Sequence, residues 1–149
     1  MLKKIFCAAL MMAAILFVGN TKVSAAPQNP NLDRVLGTYV GSYTIPSSMK
    51  RGLKLTVYRQ DGQYEASFEF YGLPGRAKSA RGRYFMTVAY DSSQNAYLFH
   101  GYEWVDRPSG YVFVDLRGAL EGSILSGDVF YNVENLNSVC GTFYLERVR

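Results

Sequence analysis

The sequence predicts an all-β domain, built as a small antiparallel up-and-down β-barrel of about eight strands or as a strongly curled sandwich. Three observations carry this. Apolar and polar residues alternate with a period of two in segment after segment. Clusters of Gly, Asp, Asn, Ser and Pro punctuate the chain about every dozen residues. No segment has a convincing helical period.

The elements follow in order. LGTYVGSYTI (36–45) is rich in Tyr, Thr, Val and Ile, which suit a pleated surface. LKLTVYR (53–59) sets Leu53, Leu55 and Val57 against Lys54, Thr56 and Tyr58. QYEASFEF (63–70) sets Tyr64, Ala66, Phe68 and Phe70 against Glu65, Ser67 and Glu69. Asp61-Gly62 joins these two runs, and Asp-Gly is a strong hairpin signal. Further strands are expected over 83–91, 96–105, 110–120, 123–133 and 139–148. Pro46-Ser47-Ser48-Met49 suits a short turn. Glycine followed two residues later by an aromatic recurs at Gly37/Tyr39, Gly41/Tyr43, Gly62/Tyr64, Gly82/Tyr84 and Gly141/Phe143. Glycine in a strand marks a bend or close approach, and an adjacent aromatic can cover the gap. An open sheet of this width would leave two exposed edges, and closure removes them.

The first 25 residues read as a secretory signal peptide. Lys3 and Lys4 precede the apolar run from Ile5 to Gly19, and Val23-Ser24-Ala25 suits a cleavage site. The run is short for a membrane span, and no second one follows. Residues 26–34 read as a flexible, Pro-containing lead-in, and 35–149 as the single barrel domain. Lys3, Lys4 and Lys22 are three of the 16 basic residues, whereas all 12 acidic ones follow Ala25, so cleavage takes the net charge from +4 to +1. A nucleic-acid-binding role loses its support, because such domains carry a large basic excess. Cys140 is the one cysteine left, so no intramolecular disulfide or cysteine metal site is available. It is expected as a buried small hydrophobe, or as an intermolecular thiol if exposed, in a monomer.

The opening LGTYVGSY (36–43), the tight hairpins and ALEGSILSG (119–127) resemble the calycin-type small barrels, the lipocalins and avidins, in architecture. Tyr39 stands where the lipocalin Gly-x-Trp opening has its tryptophan, and the ligand-holding tryptophans of avidin-like proteins are absent.

Few residues suggest catalysis. A Cys–His dyad would need His100 and Cys140 to meet. Glu103, Asp106 and Asp115 offer the only conceivable carboxylate set, and surface ion pairing with Arg107 and Arg117 is the plainer role. No metal or cofactor is expected. Binding is better represented. YGLPGRAKSARGRYF (71–85) carries Arg76, Lys78, Arg81 and Arg83 with no acidic residue, in the longest connection inside the domain. Strand 96–105 is aromatic on both faces, with Tyr97 and Phe99 on one and Leu98, His100, Tyr102 and Trp104 on the other. With Tyr111 beyond the turn Pro108-Ser109-Gly110, the residues His100, Tyr102 and Trp104 form a candidate recognition face.

The reading is a secreted or periplasmic, non-catalytic binding module. It recognises an extracytoplasmic protein or anionic polymer through its loops and aromatic face, like an inhibitor or adaptor. The alternative, a carrier of a small apolar or aromatic ligand inside the barrel, ranks second because twelve Tyr, seven Phe and one Trp after Ala25 favour a filled interior. A carboxylate-dependent hydrolase ranks last.

Overall fold

Burial alternates along the chain as the sequence does. The computed structural model describes residues 28–45, 50–75, 80–131 and 138–149. The expected signal peptide, the turn at 46–49, and Arg76 and Lys78 lie outside the described residues. Eight strands run antiparallel in chain order: β1 (Gly37–Thr44), β2 (Arg51–Gln60), β3 (Gln63–Tyr71), β4 (Gly82–Asp91), β5 (Ala96–Asp106), β6 (Asp115–Glu121), β7 (Ile124–Phe130) and β8 (Val139–Arg147). β8 returns to β1, from Tyr39 opposite Arg147 to Thr44 opposite Thr142. The sheet is therefore one closed barrel and not a sandwich.

Leu53, Leu55, Phe68, Met86, Phe99, Leu116, Leu125 and Leu145 have no exposed surface and fill the middle of the barrel. Glycines admit close approach where the strands bend. A Cβ on Gly52 would meet the Tyr71 ring at 2.2 Å, and one on Gly118 would meet Phe143 at 2.5 Å. Of the glycines with an aromatic two residues on, Gly82 is covered by Phe70 of β3, whereas Gly41 and Gly141 face the backbone of a neighbouring strand.

Strand 110–120 is shorter than expected. β6 begins at Asp115 and meets β5 through only Tyr97↔Gly118, Leu98↔Arg117 and Phe99↔Leu116. Residues 107–114 instead cross one end of the barrel. The Tyr84 hydroxyl donates to Val114 O at 2.8 Å and accepts from Val114 N at 3.2 Å. A side chain thus satisfies a peptide that no strand pairs, as buried backbone requires. The segment reads as a strand because Tyr111 and Phe113 pack on the core, which periodicity alone cannot tell from pairing.

Two register shifts alter the faces of β5. Phe85 pairs Glu103 while Met86 pairs Gly101, so Tyr102 is an extra residue; Tyr84 pairs Trp104 while Arg83 pairs Asp106, so Val105 is another. Each bulge resets the alternation. His100 and Tyr102 point outward, but Trp104 turns in to the core. A shift opposite Val129/Phe130 likewise buries Cys140, which is 7% exposed, while Thr142, Tyr144 and Glu146 face solvent.

The lead-in is not wholly irregular, since α1 (Pro30–Arg34) is one helical turn. The Asn29 side chain caps Asn31 N and Leu32 N, and Pro30 opens the turn. One turn is too short to display a helical period. Tertiary contacts hold it: Tyr97 donates to Asn31 O at 2.6 Å, Tyr64 donates to Asp33 Oδ1, and Leu32 packs on the core. Among the described residues no helix is long and apolar enough to cross a membrane.

The two barrel ends differ as a result. Tight turns at Asp61-Gly62, Ser92–Asn95 and Gly122-Ser123 lie at one end, together with α1. There Arg147 sits 5.1 Å over the Tyr39 ring, donates Nε to Tyr39 Oη at 3.1 Å, and donates Nη2 to Arg34 O. The longer connections lie at the other end, which is the open mouth. Replacing Arg147→Met removes charge-assisted bonds and a cation–π contact, and should destabilise the fold by about 2–3 kcal/mol in urea unfolding. A loss under about 0.5 kcal/mol would show that the closed end does not depend on it.

Candidate functional site

A barrel mouth is where an otherwise filled barrel can still hold something. Even-numbered strands leave the mouth and odd-numbered ones enter it, so Tyr43, Arg51, Phe70 and Tyr84 converge there from four consecutive strands. With residues 110–114 they enclose a cup of about 280 Å3. Its floor is Phe68, Phe70 and Tyr84, all nearly or wholly buried. Phe68 stacks on Tyr84 at 4.6 Å, and Phe70 stacks on Tyr111 at 5.3 Å. Val112 and Tyr131 form part of the rim and are more than half exposed.

Arg51 is the only charged side chain among the described residues that line the cup. Its guanidinium lies 4.7 Å over the Tyr111 ring, and it stands opposite Tyr43 in the β1–β2 pair. Burial pushes the Tyr43 phenol up to about 12, against the opposing pull of Arg51. Burial also holds the Tyr84 phenol well above its usual value, although its bond to Val114 works the other way. The described lining is thus an aromatic surface with neutral hydroxyls and one cation, Arg51.

The residues expected from sequence fall in three places. Trp104 and Tyr111 belong to the aromatic cluster around the mouth: Trp104 meets Tyr84 at 4.8 Å and Phe113 at 5.1 Å. His100 and Tyr102 lie on the outer face of β5. Tyr102 donates to Glu65 Oε1 at 2.8 Å, and that carboxylate pushes its phenol up to about 12. The single recognition face expected from His100, Tyr102, Trp104 and Tyr111 is therefore divided, because the Tyr102 bulge turns Trp104 inward. Arg81 and Arg83 are exposed and line a separate depression of about 520 Å3. Glu69 and Asp106 line it too, and Arg83 lies opposite both in register. The basic patch is locally mixed in charge.

Of the groups weighed for catalysis, His100 and Asp115 meet. Asp115 is buried, accepts from Gly101 N at 2.9 Å, and meets His100 Nδ1 at 2.7 Å. It closes the gap where β6 leaves β5, a structural task. Glu103 and Asp106 are exposed. His100 faces outward on β5, whereas Cys140 is buried on β8 and burial pushes its thiol up. Among the described residues no three His, Cys, Asp or Glu side chains gather as metal ligands.

Sequence reasoning missed Tyr43, Arg51, Phe70, Tyr84 and Tyr131 as cup residues. One signal was available. An up-and-down order puts the connections at 45–50, 72–81, 107–114 and 131–138 on one end, so residues flanking them converge. Comparisons with family models, curated proteins and solved structures find no match for the chain.

The buried phenols impose an alkaline limit. Their folded pKa values lie above the unfolded value of about 10, so the neutral form is fully retained below pH 10 and its contribution is lost as pH rises toward 12. In an absorbance titration at 295 nm, a fraction of the phenols should ionise only as the far-ultraviolet dichroism collapses. Complete ionisation with the dichroism intact would contradict the burial of Tyr43 and Tyr84.

Proposed function

We propose that the protein is an exported, non-catalytic carrier or sensor that binds one small apolar or aromatic molecule in the cup at the mouth of a calycin-like barrel. The observation that carries this reading is the cup of about 280 Å3 floored by Phe68, Phe70 and Tyr84. It supports the ligand reading over the macromolecular one. A filled interior counted against a ligand, but the filling ends at Phe68, Phe70 and Tyr84 and leaves a recess above them. The partner reading relied on loops and an aromatic face; that face is split by the bulge at Tyr102, and of the basic loop the described Arg81 and Arg83 share their depression with Glu69 and Asp106. The recess is slightly below the roughly 300–1,000 Å3 of drug-sized sites, which suits a ligand of one or two rings.

The neutral dye N-phenyl-1-naphthylamine tests the cup. It should bind saturably, one per chain, with a rise in fluorescence. Val112→Asp puts a charge on the cup at a position 58% exposed, so the fold should persist while affinity falls by about tenfold. Arg81→Ser, in the separate depression, should change nothing. Absence of saturable binding, or binding indifferent to Val112→Asp, removes this function. Export rests on the Lys3-Lys4 start and the apolar run of the sequence. N-terminal sequencing of the protein taken from its host should begin at Ala26, and a retained Met1 would exclude cleavage.

A further inference from the structure

We infer that the ligand of the cup is an aromatic acid: one or two flat rings carrying a single carboxylate, seated ring-down with the carboxylate on Arg51. This rests on the cup being the ligand site and goes further, to the ligand's charge and orientation.

The lining of the cup is largely aromatic: Phe70 stacks on Tyr111 with 13° between their planes, and Phe68 on Tyr84 within 15°. An aromatic ligand can extend such a cluster through offset or edge-to-face contacts. Among the described residues that line the cup there is one cation, Arg51, and no Asp or Glu, and no described carboxylate forms an ion pair with Arg51. The guanidinium lies against neutral groups, over the Tyr111 ring and opposite Tyr43 in the strand pair. Neither cancels its charge, and the apolar walls weaken the screening that water would supply. An oriented guanidinium presents paired N–H donors whose geometry matches a carboxylate.

The other described arginines do not line the cup; Arg107 also lies over a ring, Trp104 at 5.7 Å, but outside that lining. Arg81 and Arg83 share their depression with Glu69 and Asp106. Arg117 bonds Asp128 at 3.0 Å, and Arg147 is spent on Tyr39 and Arg34. Arg51 sits at the first residue of β2, at the mouth, while Phe68 lies deeper on β3. A ligand that satisfies both is amphipathic, with its polar group outward.

The test compares 2-naphthoate with neutral 2-naphthylmethanol, of the same ring system, by calorimetric titration of the wild-type chain. In a purely apolar cup the alcohol would bind better. With Arg51 acting on the carboxylate, naphthoate should bind more tightly by about tenfold or more. Arg51→Leu should abolish the preference, and Arg51→Lys should restore part of it. Equal wild-type affinities, or a preference that survives Arg51→Leu, would overturn the inference. If Arg51→Leu does not fold, the wild-type ratio and Arg51→Lys decide. Binding of the alcohol without preference for the acid leaves the cup standing and removes the acid. Binding of neither removes the cup itself, and the acid with it.

Discussion

The pairing of β8 with β1 is the constraint from which the remaining architecture follows. Once Tyr39 faces Arg147 and Thr44 faces Thr142, the outer edges of β1 and β8 protect each other, and the described edge left without a strand partner is that of β5 beyond Phe99. What remains are two ends, where loops must satisfy their own backbone groups and cover the core. The chain treats these ends differently. One has short turns and a single helical turn laid across it. The other has long connections, of which 107–114 is held over the opening.

Tyrosine hydroxyls perform much of this end work. Tyr97 and Tyr64 fasten α1, Tyr39 binds Val35 O and receives Arg147, and Tyr84 serves both polar groups of Val114. Each ring contributes apolar area to the core while its hydroxyl reaches a backbone group or charge that no strand satisfies. A phenylalanine would bury a similar ring and leave the polar partner unmet, at a cost of about 1–3 kcal/mol. This accounts for a chain with twelve tyrosines against nine phenylalanines.

Charge density along the sequence is a poor guide to where charge can act. The 71–83 connection has the densest run of cations, yet its described arginines sit beside Glu69 and Asp106 and face water. Arg51 is unremarked in sequence, one basic residue in Met49-Lys50-Arg51. It acquires significance because it is packed on an aromatic ring, with neutral partners, at the edge of an apolar cup. Local dielectric and the absence of a counter-charge decide the strength of such a group, and both are properties of the packed mouth.

Much of the barrel was legible in the residues. Period-two alternation in 53–59 and 63–70 determined which side chains face inward, and Asp61-Gly62 determined the turn between them, because both signals are local and act through backbone geometry. The number of strands and their antiparallel order follow from the same local signals and from turn length. What tertiary structure alone decided is where that period breaks. The bulges at Tyr102 and Val105 turn Trp104 inward, the shift opposite Val129/Phe130 buries Cys140, and the departure of 107–114 from β5 opens the mouth. These depend on how strands of unequal length close into one barrel, and closure is a condition on all eight at once. The cup draws its residues from several of those strands, so no single segment of the sequence could have announced it.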